Sequence, residues 1–143
     1  MVKSKLQVFL KFFIASLFLL VIFIANSAVG QEEPFIASIG DDGIQRVEIL
    51  AGSYFYKPDY IVVKVNVPVE ISIKKEPGIV PHNIVVNALD AGIDINESIS
   101  SEPKVIRFTP QKPGEYPFYC DKRLLFFKNH KEKGMEGTFE VQP

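Results

Sequence analysis

The sequence predicts an all-β domain, a Greek-key β-sandwich, behind a short N-terminal leader. Three observations point there. Runs of four to eight residues alternate apolar and polar side chains with period two, the mark of strands buried on one face. Turn-forming clusters separate the runs: "DDG" at 41–43, "KPD" at 57–59, "EPG" at 76–78 and "QKPG" at 111–114. No stretch beyond residue 30 carries a long helical periodicity.

Taken in order, the chain opens with Lys3, Lys5 and Lys11, then the apolar run "FFIASLFLLVIFIA" (Phe12 to Ala25), then the small residues "NSAVG". A basic head, an apolar middle and a small-residue end describe a secretory signal peptide over 1–30, leaving a domain at 31–143. The uncharged run of 14 residues is short of the ~20 that span a bilayer. Cleavage after Gly30 places Ala28 and Gly30 at the two small-residue positions. The expected location is therefore periplasmic or extracellular, with membrane attachment only if the leader is retained.

Seven strands follow. "IQRVEIL" (Ile44 to Leu50) is the first. "YIVVKVNV" sets Ile61, Val63, Val65 and Val67 on one face, and "VEISIK" sets Val69, Ile71 and Ile73 on one face. "NIVVN" (Asn83 to Asn87) and "VIRF" (Val105 to Phe108) come next. In "YPFYC", Tyr116, Phe118 and Cys120 share a face, and Pro117 marks an edge or an irregularity. "TFEV" (Thr138 to Val141) closes the set, and the spacing suggests antiparallel pairing. The stretch 88–103 has no strand signal and reads as a long connection with room for a helical turn.

All 17 acidic residues lie beyond position 30 and three of the 16 basic ones lie before it, which leaves the domain at −4. That balance does not suggest nucleic acid as a partner. One cysteine rules out an internal disulfide, so the thiol is buried and inert, intermolecular, or a ligand.

Beyond the leader the chain holds two histidines, one cysteine and one methionine: His82, His130, Cys120 and Met135. Singly, such residues are ordinarily surface or core groups. Together, two imidazoles and a thiolate with a weak axial thioether are the ligand set of a blue-copper site. Thiolate suits Cu(I) and imidazole suits both oxidation states, so one copper ion is the expected cofactor. His82 lies where the loop "GIVPHN" meets a strand, and the other three fall within 16 residues at the end of another.

These segments resemble the cupredoxins, the small blue-copper proteins of the plastocyanin and azurin type. "YFYKPDYIVVKVNVPVEISIKK" is similar to their early strands, "PHNIVV" to the segment carrying their first histidine ligand, and "VIRFTPQKPGEYPFYC" to the strand leading to their cysteine. "HKEKGMEGTFEV" is similar to their second histidine, methionine and final strand. The resemblance implies His82, Cys120 and His130 as equatorial ligands, Met135 as axial ligand, and a hydrogen bond from Asn83 to the cysteine loop. It also implies one-electron transfer between redox proteins such as a cytochrome or a copper oxidoreductase, with the electron leaving by an exposed edge of His130 and no substrate transformed. Two alternatives stay open: a red-copper site like that of nitrosocyanin, with Glu132 or Glu136 entering, and a metal-free binding domain.

One departure is large. Nine residues separate Cys120 from His130, against two to four in familiar relatives, while the four between His130 and Met135 are within range. The spacer contains "KRLLFFK" (Lys122 to Lys128). Leu124 to Phe127 read either as a local plug folded onto the sandwich or as an exposed docking rim. Residues 121–136 carry five basic and three acidic side chains, so a local +2 sits beside −6 on the rest of the domain.

Overall fold

Alternation along each strand builds the two inner faces. Val69, Ile71 and Ile73 are buried while Glu70, Ser72 and Lys74 stay at or near the surface, as a period-two pattern dictates. The computed structural model describes residues 33–123 and 125–143; the expected signal peptide at 1–30 and Leu124 lie outside the described residues. Ten strands follow in order: β1 (Phe35–Ile36), β2 (Gln45–Gly52), β3 (Phe55–Lys57), β4 (Tyr60–Lys64), β5 (Val69–Lys75), β6 (His82–Ala88), β7 (Ile93–Ile99), β8 (Lys104–Phe108), β9 (Gly114–Tyr119) and β10 (Glu136–Gln142). They form a six-stranded sheet, β1-β4-β10-β9-β6-β7, and a four-stranded sheet, β3-β2-β5-β8.

All seven expected strands are present, but the pairing is mixed. β2 runs parallel to β5, and β4 runs parallel to both β10 and β1. Between β2 and β5 the chain passes through β4 in the other sheet, so it re-enters in its original direction, which a hairpin cannot do. β4 also stops at Lys64, short of Val67, because Asn66 turns the chain with φ 60°. The buried side chain of Gln45 stitches the sheets together there. Its Nε2 donates to the Lys64 and Val67 carbonyls at 3.1 and 3.2 Å, and its Oε1 accepts from the Lys64 N–H at 2.6 Å.

The 88–103 connection is corrected in one respect. It holds the expected helical turn, Leu89–Ala91, and then an unexpected strand, β7, paired along its length with β6. Ile93, Ile95 and Ile99 are buried; Asp94, Asn96, Glu97 and Ser98 face outward at the sheet edge and weaken the strand signal. β9 pairs throughout with β10 and makes one registered pair with β6, Val85 with Tyr119, the half-free edge that Pro117 predicts.

Phe118 and Phe139 pack at 4.7 Å between ring centroids in the core, with Tyr56 against Phe118 at 5.2 Å. Gly137 makes room for this: a β-carbon there would lie 2.3 Å from Phe118 Cζ and 2.3 Å from the Asp59 carbonyl oxygen.

Candidate metal centre

Strand ends deliver the donors. His82 opens β6, Cys120 follows directly after β9, and His130 precedes a 3₁₀ turn at Lys131–Lys133. Gly134, in a left-handed conformation at φ 91°, ends that turn and lets Met135 lead into β10. Cys120 Sγ lies 3.4 Å from His130 Nδ1 and 3.9 Å from His82 Nδ1, and the two Nδ1 atoms are 3.1 Å apart. Among the described residues, His82, Cys120 and His130 are the group whose donor atoms converge, all within 4.8 Å, and all three are buried. Met135 is fully buried in the same core cluster as Cys120. Its N–H donates to the His130 carbonyl at 3.0 Å, and its own carbonyl accepts from the Cys120 N–H at 3.1 Å.

The nine-residue spacer does not separate its ends. His130 N–H donates to the Lys122 carbonyl and Lys131 N–H to the Cys120 carbonyl, both at 2.9 Å. These bonds pinch a neck, and the segment between Lys122 and His130 is extruded from it. Measured through the neck, only Asp121 and Lys122 stand between the two ligands, a spacing inside the two-to-four range of familiar relatives.

The expected role of Asn83 is present in the geometry. Carrying the β6–β9 register two residues on sets Asn83 opposite Asp121. Asn83 Nδ2 donates to Asp121 Oδ1 at 2.9 Å, and its Oδ1 accepts from the Asp121 N–H at 3.2 Å. The Asn83 N–H points to Cys120 Sγ at 3.5 Å, and the buried Tyr56 hydroxyl donates to the Asn83 carbonyl. These contacts fix the cysteine loop from behind, as outer partners of a metal ligand do.

Burial sets the charge state. Desolvation, then His130 and Lys75, lower the His82 pKa to about 4; desolvation, then Lys133, lower that of His130. Desolvation raises the Cys120 thiol, although backbone N–H groups of Asn83 and Lys122 pull the other way. At neutral pH the copper-free site thus presents two neutral imidazoles around a protonated thiol. His130 Nε2 is buried with no hydrogen-bond partner while its Nδ1 faces the other donors. A mixed nitrogen and sulfur set of this kind, converged and sheltered, fits copper.

Two expectations are overturned. His130 has no exposed edge: it is 0% exposed, with the Tyr54 ring packed edge-on at 5.0 Å. Tyr54 sits in the β2–β3 turn at φ 68°, and Lys133 holds it through a 2.9 Å bond to its hydroxyl and a cation over its ring. His82, 6% exposed, reaches the surface instead, in a concavity lined by Ser53, Lys75, Glu76, Gly78 and Val80. Nor do the described residues of the spacer form a plug: Leu125, Phe126 and Phe127 stand 74%, 100% and 60% exposed, and Leu124 lies outside the described residues. No carboxylate joins the donor group among the described residues; Glu132 and Glu136 are exposed, and Glu132 accepts from the Asn129 N–H. Sequence reasoning missed Tyr54 altogether, since an aromatic residue in a turn carries no ligand signal.

Comparison with known proteins agrees with this fold. No curated protein is significantly similar in sequence. Among solved structures, the chain is similar to the metal-binding domain of the Cu(I)-exporting P-type ATPase CopA of Streptococcus pneumoniae D39, solved with Cu(I), at 29% identity and TM-score 0.60 over 80% of this chain and 100% of that one. It is similar to a copper-binding protein solved in the apo form, at 25% identity and TM-score 0.53 over 77% of this chain and 98% of that one. It shares the fold of dithionite-reduced auracyanin from Roseiflexus castenholzii, at 22% identity and TM-score 0.54 over 75% of this chain and 99% of that one. The profile of the Cupredoxin-like domain family matches residues 13–138, and the chain belongs to that family.

Proposed function

We propose that this protein is an exported mononuclear copper protein that carries single electrons between redox partners. The observation that supports it is the convergence of His82, Cys120 and His130 in one buried, hydrogen-bonded frame. Those three side chains would hold the ion, with Met135 as the weak axial ligand. Bound copper supplies a Cu(I)/Cu(II) couple and transforms no substrate. The chain keeps the donors in place: β6 and β9 fix His82 and Cys120, the Asn83–Asp121 clamp braces the cysteine loop, and the neck fixes His130. A frame that does not move suits both oxidation states and lowers the reorganisation that accompanies each transfer. Tyr54 excludes water from the His130 side, so the electron passes through the His82 edge. A cytochrome or copper oxidoreductase, periplasmic or extracellular, is the partner class.

A second reading, holding and delivering Cu(I), is favoured by the likeness to a domain of a Cu(I)-exporting ATPase. One set of measurements separates the two. An intense visible thiolate-to-copper band with Cu(II), absent in Cys120→Ser, and fast reversible electron exchange with a surrogate cytochrome support the carrier. A protein that takes only Cu(I), passes it to a competing chelator and shows no electron exchange is a metal-delivery domain instead.

A further inference from the structure

Leu125, Phe126 and Phe127 form the largest run of unburied apolar side chains among the described residues, three in a row. Apolar surface gathered in this way marks an interaction site. Leu125 holds φ 51°, a left-handed conformation uncommon for a bulky residue, and the chain turns there, within the excursion. The neck bonds support the excursion at its base.

The charges beneath it are predominantly basic, five against three over residues 121–136. Lys122 and Arg123 precede the tip and Lys128 follows it, with Lys131 and Lys133 in the turn at its base. Lys133 Nζ lies 5.7 Å from the Phe127 ring centroid. Of the nearby acids, Asp121 is engaged by Asn83 and Glu132 by the Asn129 N–H.

Three consecutive side chains cannot all face one way, so a flat protein surface covers only part of them. A fluid hydrocarbon layer covers them all. Apolar groups at the tip with cations one step back also reproduce the order of a membrane interface, acyl chains beneath anionic headgroups. We infer that Leu125, Phe126 and Phe127 insert into the interfacial layer of an anionic membrane, with Lys122, Arg123 and Lys128 meeting its phosphates. Contacts run from Phe127 through Lys133 and Tyr54 to His130, so insertion sets the donor cluster close to the bilayer.

The protein contains no tryptophan, so Phe126→Trp at a fully exposed position is a unique reporter. The assay uses the copper-free full chain with vesicles of phosphatidylglycerol or of phosphatidylcholine, each carrying brominated acyl chains. Contact quenching reads insertion of the loop, and a Leu125→Ser/Phe127→Ser variant with the same leader separates that insertion from tethering by the leader. Blue-shifted, quenched emission in anionic vesicles is expected, with apparent affinity lower by on the order of tenfold or more in neutral vesicles and again in an Arg123→Gln/Lys128→Gln variant. Emission unchanged by either vesicle overturns the inference. Equal quenching in both overturns the assignment to anionic headgroups. A blue shift with an acidic soluble protein but not with vesicles overturns it in favour of a protein partner.

Discussion

Replacing residues 123–128 with a single glycine, which keeps Asn129 and its two hydrogen bonds with Glu132, should leave the metal centre intact. The His130 N–H to Lys122 carbonyl bond then becomes the closing bond of an ordinary β-turn, so the neck survives without the excursion. Shortening a seven-residue closure to two lowers its entropy cost by about 1.1 kcal/mol. Against this, the cation over the Phe127 ring is lost; at 5.7 Å it sits near the limit of such contacts, and it contributes about 0.5 kcal/mol. Phe126, fully exposed, has no burial to lose, and Leu125 and Phe127, 74% and 60% exposed, have little. The net expectation is a gain of roughly 0.5 kcal/mol, or about 2–4 °C in Tm. Thermal unfolding of the copper-free protein and a copper titration check it. A loss of about 2 kcal/mol or more, well beyond the terms above, or copper binding below one equivalent would show that the excursion shapes the site and refute the neck argument.

Other outcomes follow from the same geometry. Met135→Leu should retain copper and raise the reduction potential, since losing an axial donor penalises Cu(II); ~59 mV corresponds to each tenfold change in preference. Voltammetry that finds no shift removes Met135 from the axial role. Capture of Cu(I) at pH 7 should release about one proton per ion. The thiol, held above its ordinary pKa, is still protonated, whereas both imidazoles, held below theirs, are already neutral. Calorimetry in buffers of different ionisation enthalpy counts the protons, and two or none contradicts the charge state described. Gln45→Ala removes three hydrogen bonds and should cost roughly 3 kcal/mol at ~1 kcal/mol each in urea unfolding; a cost under about 1 kcal/mol would mean that water replaces the clamp.

Strands whose alternation was clean, such as Val69–Lys75, were legible because one face meets the core and the other meets water. β7 was not, because its outward residues are polar at a sheet edge and the pattern there resembles a loop. The direction of pairing was hidden as well, since alternation carries no sign: Val69 to Ile73 reads the same beside a parallel or an antiparallel neighbour. The donors stood out because each residue type is so scarce. The Cys120–His130 spacing looked anomalous only because linear distance says nothing of the two backbone bonds that close the neck. Tyr54 and the burial of His130 depend on a left-handed turn that aims a ring across the fold, and neighbouring letters do not encode that direction.

β10 is the latest strand in chain order, yet it lies inside the larger sheet, between β4 and β9. A chain emerging from its N-terminus therefore makes β4 and β9 well before the strand that joins them. Until residues 136–142 arrive, both present open edges, the state most exposed to mispairing. Met135, whose backbone bridges Cys120 and His130, is positioned only when that strand docks. The donor set is thus completed last: a chain without that strand has the cysteine and both histidines but lacks Met135 and the backbone bonds through which it ties Cys120 to His130.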